Sequence, residues 1–146
     1  MTATFFGHRD APKKTEPALR AALLDLIENK NVDLFFVGNH GGFDRMVRKC
    51  LTTLKTLYPH IKYYVVLAYI PLKKENLMLE DGEETLYPQG LERTPPKYAI
   101  TKRNNWMIEK SDYVITYVDH ITGGAAHFKE AAEKKGKTVI NLDLRF

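Results

Sequence analysis

The 146 residues, 44% of them hydrophobic, are enough for one domain with its own core and too apolar for a disordered chain. The longest apolar stretch, Tyr63 to Ile70, falls far short of the ~20 residues of a membrane helix, and no signal peptide opens the chain. A lone cysteine, Cys50, rules out an internal disulfide and fits a cytoplasmic protein, while a net charge of +4 favours anionic partners without naming one.

Thr2 to Phe6 reads as a first strand, ended by Gly7-His8-Arg9-Asp10. A helix then starts near Thr15 to Pro17, with Leu19, Ala22, Leu23, Leu26 and Ile27 on one face. Val32 to Val37 is the second strand, apolar on both faces as in a covered sheet, and Gly38-Asn39-His40-Gly41-Gly42 breaks it. The next helix carries the stripe Phe43, Met46, Val47, Cys50, Leu51, Leu54 and Leu57. Cys50 lies within that stripe and reads as a core residue rather than a nucleophile.

Tyr63 to Ala68 is the third strand. An insertion at 72–96 then interrupts the rhythm with acidic residues and Pro88, Gly90, Pro95 and Pro96. So long a connection in a small domain points to a lid or a partner surface. Its Leu77, Met78, Leu79, Leu86 and Tyr87 make it the expected contact of a homodimer. A helix follows from about Lys97 to Lys110, then the strand Tyr113 to Val118. Thr122-Gly123-Gly124 opens a helix that stops at Gly136, with Thr122 the expected N-cap, and Lys137 to Leu142 is the last strand.

Strands alternating with helices define an α/β chain: a single Rossmann-like three-layer domain over 1–146, with a mostly parallel sheet of about five strands. Ligands of such sheets bind at the carboxyl ends of the strands. Three glycine-bearing loops follow strand ends here: Gly7-His8-Arg9, Gly38 to Gly42, and Thr122-Gly123-Gly124. A strand, a pair of glycines and a helix start form a seat for an anion, because first-turn N–H groups lack partners and the helix dipole favours negative charge. No Walker A motif and no strict dinucleotide fingerprint is present. His8, His40 and His127 can share one crevice, yet no paired-ligand spacing accompanies them, so neither a metal nor another cofactor is expected.

Arg103-Asn104-Asn105-Trp106-Met107, then Ser111-Asp112, then Gly123-Gly124 through Glu130 resembles the pattern of the SLOG superfamily, named for the DNA-processing Smf proteins and the Lonely Guy cytokinin-activating enzymes. Gly7-His8-Arg9 and Gly41-Gly42-Phe43-Asp44 are similar to ligand loops of small SLOG-like proteins, so the resemblance covers nearly the whole chain. It implies catalytic roles for Arg103 and Glu130, and ligand contacts at Gly7, His8, Arg9, Gly38, Gly41, Gly42, Asp44, Thr122, Gly123, Gly124 and His127. Asp44 either binds a ribose hydroxyl or complements its own helix N-terminus. Arg9 is either a phosphate ligand or a solvated loop residue. Arg103 and Glu130 either act on the ligand or pair with each other as a structural salt bridge. Ala126, His127 and Thr122 depart from the family's glycine, threonine and proline.

The expected ligand is a nucleotide or nucleotide-derived small molecule, with hydrolysis of an N-glycosidic bond of a nucleoside monophosphate as the enzymatic form. A sensor that binds without turnover is the alternative. Scattered basic residues place a single-strand nucleic-acid binder third.

Overall fold

The computed structural model describes residues 1–70, 79–80 and 82–145. Six parallel strands form one sheet: β1 (Thr2–Gly7), β2 (Leu34–Val37), β3 (Lys62–Val66), β4 (Glu84–Leu86), β5 (Tyr113–Tyr117) and β6 (Thr138–Asn141). Their order across the sheet is β4-β3-β2-β1-β5-β6. The chain winds outward from β1 to one edge, then returns beside β1 to build the other. The carboxyl ends of β1 and β5 therefore flank the switch point where such sheets take ligands.

Four helices cover the sheet: α1 (Glu16–Asn29), α2 (Gly41–Leu57), α3 (Ala99–Lys110) and α4 (Gly124–Lys134). Alternation along each strand divides the core in two. Ala3, Phe5, Phe35, Val37, Val65 and Ile115 pack under Leu19 and Leu23 of α1 and Phe43, Val47 and Leu51 of α2. Phe6, Phe36, Val66 and Val114 pack under Met107 and Ile108 of α3 and Phe128 and Ala132 of α4. Cys50 is buried in the α2 stripe, as its position in the heptad-like pattern implies. No helix among the described residues is long and apolar enough to cross a membrane.

The sheet has six strands, not five. The additional one, β4, lies inside the insertion and pairs with β3, with Val65 opposite Thr85. Three residues beginning with a glutamate carry no apolar alternation, so nothing local announces a strand. After β4, Leu91 packs with Ala68 and Ala99, fixing the end of the insertion against the start of α3. The front of the expected lid, residues 72–78, and with it Leu77 and Met78 of the expected dimer contact, lies outside the described residues.

Gly7 ends β1 directly beneath Phe43 of α2. A Cβ there would stand 2.2 Å from the Phe43 ring, which is itself 1% exposed and has nowhere to move. Gly7→Ala is expected to cost about 1–3 kcal/mol by overpacking, read as a lower denaturation midpoint with an unchanged slope.

Candidate functional site

Three loops meet at the carboxyl edge. The loop after β1 is tied to the start of α2, where the Gly42 N–H donates to the Arg9 carbonyl at 2.7 Å. A Cβ at Gly42 would sit 2.6 Å from that carbonyl, so the close approach of the two loops needs glycine there. On the other side of β1, the His8 N–H donates to the Tyr117 carbonyl at 3.1 Å and continues the β1–β5 pairing. Asn141 of β6 fixes the end of β5: its Oδ1 accepts from the Val118 N–H and the Thr116 hydroxyl, each at 2.9 Å, and its Nδ2 donates to the Val118 carbonyl at 3.0 Å. Asp119 and His120 are thereby held next to His8.

Arg103 comes up from α3 and is 2% exposed. Its Nη1 donates to the Val66 carbonyl at the end of β3 at 2.7 Å, and its Nε to Asn104 Oδ1 at 2.6 Å. Nη2 lies 3.3 Å from His40 Nδ1. Burial pulls the guanidinium below its ordinary pKa, and Asp44 opposes that pull. An arginine nonetheless stays charged in proteins.

Asp44 lies in the first turns of α2, and its Oδ2 accepts from the His40 N–H at 3.1 Å. Burial pushes its carboxyl up to about 6, against the opposing effects of that hydrogen bond and of Arg103. Gly38 is wedged between the two: a Cβ there would stand 2.6 Å from Asp44 Oδ2 and 3.2 Å from Arg103 Nη1. His40 is lowered by burial, then by Arg103 and Arg9, so its ring is neutral at neutral pH and Nδ1 is free to accept from Arg103.

Two adjoining hollows result. The inner one, about 170 Å³, is walled by Phe5, Ile100, Met107 and Phe128, with Arg9, His40, Asp44, Arg103 and Asn104 supplying polar groups and Gly124 and Ala125 closing one side. The outer one, about 390 Å³, is lined by Gly7, His8, Arg9, Asp10, His40, His120, Gly123, Gly124 and Ala125. Gly123 is the N-cap of α4 and takes φ +94°, a conformation that L side chains rarely adopt. Space beside Gly123 and Gly124 is open, and both line the outer hollow where α4 begins and its first-turn N–H groups lack intrahelical partners.

The structure thus gathers Gly7, His8, Arg9, Asp44, Arg103, Gly123 and Gly124 around these hollows, with Gly38, Gly41 and Gly42 behind them. Three expected residues stand apart. Thr122 is exposed and gives way to Gly123 as the N-cap of α4, with no side-chain cap. His127 is exposed, edge-on to Phe128 at 4.9 Å, and lines neither hollow.

Glu130 is the larger correction. Its side chain is 65% exposed, is paired with Lys134 at 3.1 Å, and lines neither hollow, so no ion pair with Arg103 forms. The cause is helical phase. α4 starts at Gly124 and buries Phe128 and Ala132, and Glu130 lies about 200° round the helix from Phe128. Lys134 holds the Glu130 carboxyl below its usual range, as befits a surface pair.

Asn104, His120 and Asp119 escaped the sequence reading. Asn104 had a usable signal, being next to Arg103 on the helix that enters the central strand. His120 had none, since only the fold brings the loop after β5 against His8.

This is a Rossmann-like α/β fold with its crevice at the switch point. Among solved structures the chain is similar to DNA processing protein A (DprA) from Streptococcus pneumoniae, a Smf/DprA member of the SLOG superfamily, at a TM-score of 0.69 and 19% identity. The likeness covers 96% of this chain and 49% of DprA, so the chain spans about half the length of that neighbour. No protein-family model matches the chain, and no curated protein matches it.

Proposed function

We propose that the crevice at the carboxyl ends of β1, β2 and β5 binds a nucleotide or nucleotide-derived small molecule. One observation carries the reading: a buried arginine and a carboxyl pushed up to about 6 flank Gly38 beneath an open Gly-Gly helix start. Shifted titratable groups in a cleft mark functional sites more often than chance. The phosphate sits at the α4 N-terminus, within reach of Arg9. Asp44 and the neutral His40 accept or donate to ribose hydroxyls, and the base lies against Ile100, Met107 and Phe128.

Binding without turnover is the form of this reading that the site favours. N-glycosidic hydrolysis needs a carboxylate to offset charge developing on the ribose. Glu130 faces solvent, which leaves Asp44 as the carboxylate at the inner hollow. Calorimetry with a panel of nucleoside monophosphates tests binding, and chromatography of the same mixtures detects free base. Asp44→Asn is expected to weaken binding about ten- to a hundredfold. Glu130→Ala is a surface change and is expected to alter affinity by no more than about twofold. A panel in which nothing binds defeats the proposal. Release of base that Asp44→Asn abolishes turns the sensor into an enzyme.

The structural neighbour, DNA processing protein A, favours a second reading, binding of nucleic acid, here taken as single-stranded, which the net charge of +4 permits. Tight oligonucleotide binding at roughly physiological salt, with a steep salt dependence, would put it first.

A further inference from the structure

His8, Asp119 and His120 form a cluster that the nucleotide reading does not use. Each offers one ligand atom, and these atoms all lie within 4.8 Å of one another. The two imidazoles are stacked, with centroids 3.7 Å apart and planes 9° from parallel. Asp119 Oδ1 lies between them, 3.3 Å from His8 Nε2 and 2.6 Å from His120 Nδ1.

His8 is the informative member. It is 7% exposed, and its Nε2 is fully buried without a hydrogen-bond partner among the described residues, although Asp119 Oδ1 is close. An orphaned polar atom in a packed structure calls for an explanation, and an ion is one of the few available. Hydrogen bonds hold the cluster from both sides: the His8 N–H is fixed to the Tyr117 carbonyl, and the Asn141 side chain anchors the strand end from which Asp119 projects.

We propose that His8, Asp119 and His120 bind a divalent first-row transition metal, with Zn²⁺ the best fit. Two imidazoles and one carboxylate are donors suited to zinc or iron, whereas magnesium takes oxygen ligands almost alone. Bonds of about 2.0–2.1 Å in a tetrahedral set place ligand atoms about 3.3 Å apart. The His8–Asp119 separation already has that value. The His120–Asp119 pair is closer, at hydrogen-bond distance. Metal takes the place of that contact, and the His120 side chain, 50% exposed, is free to turn out of the stack so that both ring planes meet at the ion. Three protein ligands leave a fourth position, which opens onto the outer hollow beside Arg9, Asp10 and Gly123. An open position of this kind is the mark of a site that holds an exchangeable ligand rather than a purely structural ion.

The proposal stands apart from the nucleotide reading, and its test uses metal alone. The whole chain, stripped with chelator, is dialysed against Zn²⁺, and bound metal is measured by mass spectrometry and calorimetry. One equivalent at micromolar or tighter affinity is expected. His120→Ala and Asp119→Asn are expected to weaken it at least about 100-fold, the upper end of what even an outer-shell change costs. His60→Ala, an exposed histidine beside Tyr58 rather than at the crevice, is expected to leave it unchanged. Zinc is also expected to raise the melting temperature of wild type and His60→Ala but not of His120→Ala. The exposure of His120 keeps that variant folded, which its chelator-treated melting curve verifies. Uptake below one equivalent at micromolar zinc, or uptake that His120→Ala leaves in place, overturns the assignment.

Discussion

Glu83→Ala is expected to destabilise the fold by about 3–5 kcal/mol, because it breaks a two-pronged, largely buried ion pair. The Glu83 side chain is 1% exposed and that of Arg48 13%. The pair is two-pronged: Arg48 Nη2 donates to Oε1 at 2.6 Å and Nε to Oε2 at 3.1 Å. The Tyr63 hydroxyl adds a bond to Oε2 at 3.0 Å, and the Glu80 N–H one to Oε1 at 2.8 Å. This cluster joins α2, β3 and the residues leading into β4. Chemical denaturation reads the global loss. Hydrogen exchange reads a local one at the Leu67 N–H, which donates to the Leu86 carbonyl at 2.8 Å.

The same cluster sets an acid limb. Burial pushes the Glu83 carboxyl up, but the bonds from Arg48, Glu80 and Tyr63 outweigh it and the net pKa is lowered. A lowered folded-state pKa means that the contribution is present above the unfolded value of about 4.3 and is lost as pH falls through the folded one. Glu83→Gln is therefore expected to flatten the loss of stability below about pH 4.

These residues also show where the sequence stopped being legible. β1, β2, β3, β5 and β6 are apolar runs closed by turn residues, and their period and punctuation are local facts. β4 is held by a charge pair between positions distant in the chain, which no window of sequence contains. The glycine loops were legible for the same reason as the strands: each is a contiguous stretch whose backbone needs are written in its own residues. Glu130 turns outward because a motif aligned by spacing does not say which face of its helix is buried, and α4, capped by Gly123 rather than Thr122, buries Phe128 and Ala132. His120 and Asn104 were passed over because their significance comes from neighbours in space. A chain can thus announce that it has a crevice, and where, more readily than which side chains turn into it.

Arg103→Met is expected to give the largest functional loss, and it separates two roles for the same guanidinium. If Arg103 contributes charge to the crevice, the variant binds the proposed nucleotide about 100-fold more weakly, the scale of a lost hydrogen bond to a charged group. Stability is also expected to fall by about 1–3 kcal/mol, because the Val66 carbonyl loses its donor at 2.7 Å and Asn104 Oδ1 its donor at 2.6 Å. Asp44 supplies the decisive readout. Its carboxyl stands at about 6 even with Arg103 holding it down, so without that cation it is expected to titrate higher still, as followed by carboxyl-carbon NMR. A folded-state value above the unfolded one makes Asp44 stabilising below about pH 4, with the benefit lost as pH rises through the folded pKa. The stability deficit of Arg103→Met is therefore expected to be larger at pH 7 than at pH 4. Arg103→Lys restores the charge without the planar fork, and is expected to return Asp44 toward its wild-type titration while leaving the hydrogen bonds unmade. If Arg103→Met shifts Asp44 and lowers stability but binds nucleotide as wild type does, Arg103 is a clamp on the end of β3, and the ligand's charge is met by Arg9 and the α4 N-terminus alone.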